Sequence, residues 1–343
     1  MNQFIRIGMD TSKHLFQLHG VDGAEAPVLK KKLRRKEMLA FFSGIEPSVV
    51  GIEACGASHH WARELGKLGH EVKIMAAQLV KPYVKRGKND AADAAALCEA
   101  MSRPSMRFVA VKSPEQQAGL MLLAIRDRLV RTRTQVSNSI RGHAAEFGLI
   151  AAKGLDKIEP LLLRIGEDKS LPDLARALFA TLGEEYASLQ ARLAQADSAL
   201  MAQHRSEPTS RNLARIPGVG PIGAMSLTLK APDPNSFKSG RDFAAWIGLT
   251  PRDHSTAGKA RPGAITRAGD EGLRSLLVAG ATAAIQQVRR GRTPPSPWLK
   301  ALLARKKPKL AAVALANKNA RIAWKMMLAD TSYDAARSAA RAA

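Results

Sequence analysis

Four acidic residues, Asp10, Glu53, Asp90 and Asp93, carry the clearest chemistry in this chain. Asp10 closes the apolar run FIRIGMD, and Glu53 closes the β-branched run PSVVGIEA. Asp90 and Asp93 stand three apart at the start of the alanine-rich segment KNDAADAAAL, so a helix there projects both from one face. Carboxylates gathered in one place repel unless a hard dication neutralises them. Mg²⁺ or Mn²⁺ fits, because both favour oxygen ligands in octahedral geometry. Two such ions can activate a nucleophile and stabilise the leaving oxygen of a phosphodiester. Taken singly, each acid has a plainer role. Asp10 precedes Thr11 and Ser12 and suits a turn, Asp90 suits a helix N-cap, and Asp93 suits a solvated surface. Glu53 is the hardest to dismiss, since a glutamate buried and unpaired within VVGIEACG is costly.

A second constellation lies in the loop GLTPRDHSTAGKARPGAITRAGD, residues 248–270. It carries Arg252, Lys259, Arg261 and Arg267 around the hydroxyls of Ser255 and Thr256. Guanidinium groups bind phosphate oxygens bidentately and stabilise the charge that develops in phosphoryl transfer. A serine beside them can act as a covalent nucleophile. Most loop serines only bond the local backbone, and a lone loop histidine such as His254 is more often incidental than a general base. The segment IPGVGPIGA looks like a helix-hairpin-helix element, in which Gly218 and Gly220 let backbone N–H groups approach DNA phosphates. A tight helix–helix turn reads the same way.

Alternating elements must hold the acids. FIRIGMD, HLFQLHGV and APVLKKKLR read as strands, KEMLAFFSGI as a short helix, PSVVGIEA as a strand, SHHWARELGKLG as a helix and HEVKIMAA as a strand. Asn89 or Asp90 caps the next helix, and RFVAVKS returns to strand. This is an α/β sheet with carboxylates at strand ends, where open sheets bind ligands. From Pro114 the character changes. Leu122, Ile125, Leu129, Val136, Ile140 and Phe147 form one helical stripe; Leu178, Leu182, Tyr186, Leu189, Leu193 and Leu200 form another. These resemble coiled-coil seams, either packed on each other within the chain or used as a dimerisation arm. A mainly α region follows from about Pro208, and the Ala- and Arg-rich tail after Ser332 is expected to fray. The expected domains are therefore 1–113, 114–207 and 208–343.

Charge sets the partner. The chain of 343 residues has 53 Lys and Arg against 30 Asp and Glu, a net charge of +23. Such an excess points to a polyanion, most often nucleic acid, without separating DNA from RNA. KKKLRRK, residues 30–36, is a contact for it or a solvated run. No apolar run is long enough to span a membrane, and no signal peptide is evident. Cys55 and Cys98 form neither a zinc motif nor a disulfide framework, which suits a cytoplasmic setting.

IGMDTSK, GIEACG and KNDAADAAAL resemble the DEDD motifs of the Piv/MooV-type transposases, the insertion-sequence family numbered one-ten. GIEACGASHHWARELGKLGHEVK, followed by VKPYVKRGKNDAADA, is similar to its eleven-eleven subgroup in particular. The resemblance extends over nearly the whole chain. It implies a RuvC-like, ribonuclease-H-like N-terminal domain and a C-terminal transposase domain with an essential serine. Counting back from the TRAG segment, that serine matches Ser255, with Thr256 one position away. The resemblance further implies a covalent serine–DNA link formed beside the DEDD acids of the same or another subunit. It also implies a structured guide RNA, called bridge or seeker RNA, that pairs with donor and target DNA. The leading expectation is a Mg²⁺-dependent, RNA-guided transposase acting as a dimer or tetramer. A RuvC-like junction-resolving endonuclease needs only the four acids, and a non-catalytic nucleic-acid-binding protein needs none of this chemistry.

Overall fold

The computed structural model describes residues 4–85, 89–256, 258–259, 261–331 and 333. The chain divides once into compact units, after Pro114.

The first unit is built on six strands. They are β1 (Arg6–Thr11), β2 (Leu15–Val21), β3 (Pro27–Arg34), β4 (Val49–Glu53), β5 (Glu71–Met75) and β6 (Phe108–Val109). Their order across the sheet is β3-β2-β1-β4-β5-β6. The first three meander antiparallel, β1, β4 and β5 run parallel, and β6 closes the far edge antiparallel. Among the described residues, four α-helices join them: α1 (Met38–Ser43), α2 (Ser58–Lys67), α3 (Ala77–Val80) and α4 (Asp90–Ala100).

Period-two alternation gives the sheet two different faces. Ile7, Met9, Val50 and Ile52 point to one side, where they are buried with Phe16, Leu18, Phe42, Trp61 and Leu65. Each such side chain contributes about 1.5–3 kcal/mol of burial. The intervening positions, Gly8 and Gly51, face the other side, against α4 and the residues just after it. A Cβ on Gly8 would stand 2.0 Å from the Ala94 carbonyl oxygen, and one on Gly51 would stand 2.6 Å from Met101 Cε. Glycine within a strand is a site of close backbone approach, and here α4 makes it. At the sheet edge, β3 carries most of the basic run 30–36, read as a nucleic-acid contact or a solvated run. Lys31 stands 4.9 Å from the Phe41 ring centroid, and exposed lysines on an edge strand also discourage strand pairing.

The second unit begins with a helical hairpin. Its long helices are α5 (Pro114–Glu146) and α7 (Asp173–Ser206), with α6 (Ile158–Glu167) between them. Leu123 clusters with Leu200, Arg126 bonds Asp197 at 2.5 Å, and Phe147 meets Phe179. As one number rises the other falls, so α5 and α7 are antiparallel. Leu129, Val136 and Ile140 pack with Tyr186, Leu189 and Leu193, which places both expected stripes in one core. Two stripe members differ: Leu178 is 57% exposed and Phe179 takes the buried position, while Phe147 is 43% exposed. A helix turns 100° per residue, so a neighbouring aromatic can displace a leucine from the seam.

No second division falls near Pro208, because α7 packs on α8 (Pro208–Leu213) and α9 (Pro221–Lys230). The remainder comprises α10 (Gly240–Ile247), the hairpin β7 (Pro251–Asp253) and β8 (Pro262–Ile265), α11 (Glu271–Arg289), α12 (Pro297–Arg305) and α13 (Pro308–Ala329). Leu273, Leu277 and Ala281 of α11 meet Ala312, Ala316 and Ala320 of α13 in its core. The tail expected to fray lies outside the described residues, apart from Tyr333. Among the described residues no helix is long and apolar enough to cross a membrane.

Candidate active site

Asp10 and Glu53 lie one step beyond the Met9–Ile52 pair of the parallel strands β1 and β4. They therefore sit side by side on the sheet face that carries Gly8 and Gly51. Those glycines let α4 lie directly on that face, and its N-terminus ends beside the two carboxylates. Asp90 and Asp93 occupy the first turn of α4, where the helix dipole favours negative charge. The cap itself is Asn89, whose side-chain oxygen accepts the Ala92 N–H at 2.8 Å. Asp90 is thus not spent on capping. All four predicted acids meet electrostatically: the Asp10 carboxyl is pushed up to about 6 by burial, then by Asp90, Asp93 and Glu53.

Asp10, Glu53 and Asp93 are half-buried and Asp90 is exposed. As the side chains stand, no three His, Cys, Asp or Glu among the described residues are gathered closely enough to hold one ion. Mutual repulsion favours that spread, and a dication would remove it. The donor set fits Mg²⁺ or Mn²⁺ in type, being carboxylate only with no thiolate or imidazole from the four positions. Two neighbours were not foreseen. Thr11 Oγ1 and Cys55 Sγ, each immediately beyond or near a strand-end acid, are 3.1 Å apart at this end of the sheet. Cys55 and Cys98 are both free thiols.

In the second unit, Ser255 is exposed near the tip of the β7–β8 hairpin. Its backbone N–H donates to Asp253 Oδ1 at 2.8 Å, and its Oγ accepts the Arg261 N–H at 3.1 Å. The hydroxyl and the backbone N–H of Ser255 both hold the Asp253 carboxyl below its ordinary range. Asp253 was missed in the sequence, although an Asp two residues before a loop serine is an Asx-turn signal. His254 donates its backbone N–H to the Arg261 carbonyl, while its ring lies within 2.9 Å of where a Cβ on Gly263 would stand. Arg252, Lys259, Arg261 and Arg267 are all exposed on or beside this hairpin, giving a cationic rim. Arg267 holds the left-handed conformation, φ +57, which is uncommon for a side-chain-bearing residue.

The hairpin root is tied tightly. A Cβ on Gly248 would stand 2.1 Å from the Ala268 oxygen, and one on Gly269 would stand 1.9 Å from the Trp246 oxygen. Arg274 of α11, nearly buried, donates from Nη1 to the Ile247 carbonyl at 3.0 Å and the Ala268 carbonyl at 2.9 Å. The Gly-rich turn is divided in character. Gly218, at φ +86, packs against Gly280, whose own Cβ would meet the Gly218 oxygen at 1.8 Å. Gly220 caps α9 with open space around it.

The sheet with its acidic end and the cationic serine hairpin mark the chain as a nucleic-acid-processing protein. A family model described as a transposase matches residues 7–147, and one described as the transposase IS116/IS110/IS902 family matches residues 210–294. A Sinorhizobium fredii protein named as a transposase is 64% identical, covering 97% of this chain and 86% of that protein. A protein of Pseudomonas aeruginosa named as a family 20 transposase is 45% identical, covering 96% and 98%. The transposase for insertion sequence element IS1111A of Coxiella burnetii is 36% identical, covering 95% and 90%. The chain belongs to the IS110/IS116/IS902 family of transposases. Its activity is accordingly the cutting and transfer of DNA.

Proposed function

We propose that this transposase cuts and rejoins DNA through a phosphoserine intermediate at Ser255, assisted by divalent metal at Asp10, Glu53, Asp90 and Asp93. The first unit is read as a RuvC-like, ribonuclease-H-like domain, and the Gly-rich turn between α8 and α9 as a helix-hairpin-helix contact. One observation carries the metal reading: three other carboxylates and burial together push Asp10 up to about 6. A protein gains nothing in stability from such crowding, so a cationic ligand is its natural counterpart. Mg²⁺ or Mn²⁺ at these residues would supply Lewis-acid stabilisation of the phosphodiester oxygens.

The chain's own groups supply the remainder. Ser255 Oγ attacks a DNA phosphorus, the bond from phosphorus to one sugar oxygen breaks, and a phosphoserine ester forms. A sugar hydroxyl of the receiving strand then attacks that ester and restores the serine. The bond energy is kept throughout, so no external energy source is required. Asp253 fixes the serine backbone and is placed to accept the hydroxyl proton. Arg252, Lys259, Arg261 and Arg267 neutralise the phosphoryl oxygens.

Guide RNA and a dimer or tetramer complete the reading. The net charge of +23 supports a second polyanion besides DNA. Leu163, Leu174 and Leu178 are 68%, 72% and 57% exposed toward the far end of the helical hairpin, which supports a subunit contact there. The test is a covalent-adduct assay with purified protein, guide RNA, donor and target DNA and Mg²⁺. Wild type forms a protein–DNA adduct; Ser255→Ala forms none, and Asp10→Ala with Mg²⁺ forms less than about one hundredth. An adduct from Ser255→Ala overturns the serine. Cleavage with no adduct from wild type favours the metal-dependent junction-resolving nuclease instead.

A further inference from the structure

The Ser255 hairpin forms one wall of a broad cleft of about 1660 Å³ in the second unit, faced by α13 and edged by α10 and α12. The cleft exceeds the roughly 300–1,000 Å³ of small-molecule sites, so it is sized for a stretch of polymer. Among the described residues, its charged lining consists of Arg241, Arg267, Lys318, Arg321 and Lys325, with no Asp or Glu. None of these five forms a salt bridge with a described carboxylate. Burial, and then Arg321, hold the Lys318 ammonium below its ordinary range. An arriving anion would offset the repulsion from Arg321 and pair the part-buried ammonium.

The cleft is also aromatic. Lys318 Nζ stands 4.3 Å from the ring centroid of Trp298 and covers that face, so a base stacks there as the ammonium swings off the ring to a phosphate. Trp324 is held in place: its indole N–H donates to the Pro234 carbonyl at 2.9 Å. Its ring packs so closely on Gly240 that a Cβ there would lie 3.1 Å from Cε3. A cationic groove with tryptophan platforms binds single-stranded nucleic acid, because cations track phosphates and rings stack bases of any sequence. Duplex DNA offers phosphates but keeps its bases stacked inside.

We infer that this cleft holds the unpaired DNA strand next to the phosphodiester presented to Ser255, stacking a base on Trp298 and seating phosphates on Lys318, Arg321 and Lys325. DNA is chosen over RNA because the wall of the cleft is the same hairpin that carries the serine. This rests on the Ser255 reading for the strand's identity, but binding does not require the reaction. Unpaired strands arise whenever a duplex is opened for exchange, so the cleft would keep a freed end beside the serine.

The test uses the full chain carrying Ser255→Ala, so that no adduct interferes. Fluorescence anisotropy compares a short oligothymidylate, the same length of abasic DNA, the matching RNA and a duplex. The expected result is that oligothymidylate binds about tenfold more tightly than abasic DNA. Trp298→Leu should erase that difference while leaving duplex binding within about twofold. Lys325→Gln should lower the salt slope for the single strand by about 0.7, as expected for one lost phosphate contact. An oligothymidylate containing 5-iodouracil should photocrosslink to Trp298 or Trp324, a readout that needs no variant. Equal affinity for abasic DNA overturns the stacking site, and tighter RNA binding overturns the DNA assignment. Absence of the stacking difference in protein that retains Trp298, with adduct formation intact when Ser255 is present, defeats this inference alone. Stacking retained with no adduct in that protein defeats the phosphoserine reading alone.

Discussion

The acidic end of the first unit and the cationic hairpin of the second solve opposite problems with the same small residue. At the acidic end, charge of one sign is concentrated, and Gly8 and Gly51 let α4 lie on the strands so that Asp90 and Asp93 act electrostatically on Asp10, as Glu53 does. At the hairpin, Gly248 and Gly269 pin the root while Ser255 and its arginines project into solvent. The difference lies in where rigidity is needed. The proposed carboxylate ligand set must be held from three elements at once, β1, β4 and α4, whereas the proposed nucleophile, meeting a large substrate, needs only a firm base and an open tip.

The largest effect should come from breaking the first arrangement. Gly8→Val places side-chain atoms where the Ala94 carbonyl now stands, and should cost about 3 kcal/mol by urea denaturation. Mg²⁺ binding, followed by calorimetry, should fall with it, because α4 must shift. Next comes the root of the second arrangement. Arg274→Met removes two charge-assisted hydrogen bonds to Ile247 and Ala268 and should cost about 2 kcal/mol. DNA-adduct formation should fall with it, but metal binding should not.

A smaller effect concerns pH. Asp10 titrates near 6 in the folded chain against 3.8 when unperturbed, so the folded state binds more protons between these values. Stability therefore falls as pH rises through that window, in metal-free protein. Asp10→Asn should be more stable than wild type at neutral pH by about 1 kcal/mol, a value reduced for the part-solvated carboxyl. The advantage should vanish near pH 4 and should disappear when Mg²⁺ is added. Mg²⁺ affinity of wild type should likewise weaken below about pH 6, as the Asp10 proton competes. The smallest effect is expected at the Gly-rich turn. Gly220→Ala, in open space, should change stability by at most about 0.5 kcal/mol, whereas Gly218→Ala must push Gly280 aside and should cost several times more.

The strands leading to Asp10 and Glu53 were legible because apolar runs, turns and helix caps are local signals. The capping choice was only half legible: Asn89 and Asp90 are equally good caps, and the structure selects the asparagine. Gly8 and Gly51 could be seen as glycines in strands, but the helix that uses them arrives from more than forty residues away. Arg274 was illegible for the opposite reason. A lone arginine in EGLRSLLVAG reads as solvated, and its burial depends on two carbonyls supplied by separate segments. Phe179 displaced Leu178 because periodicity fixes a stripe only to about one residue. The cleft left no trace in spacing at all, since its walls are drawn from residues spread between 239 and 333.

The antiparallel course of α5 and α7 has a consequence for how such chains can vary. Leu123 and Leu200 meet near Met225, so the excursion leaves and rejoins the body of the unit at one spot. Whole turns removed in equal number from both helices would shorten the projection by about 5 Å per turn while leaving its base unchanged. The length of the α5–α7 projection can therefore change without altering the packing at its base.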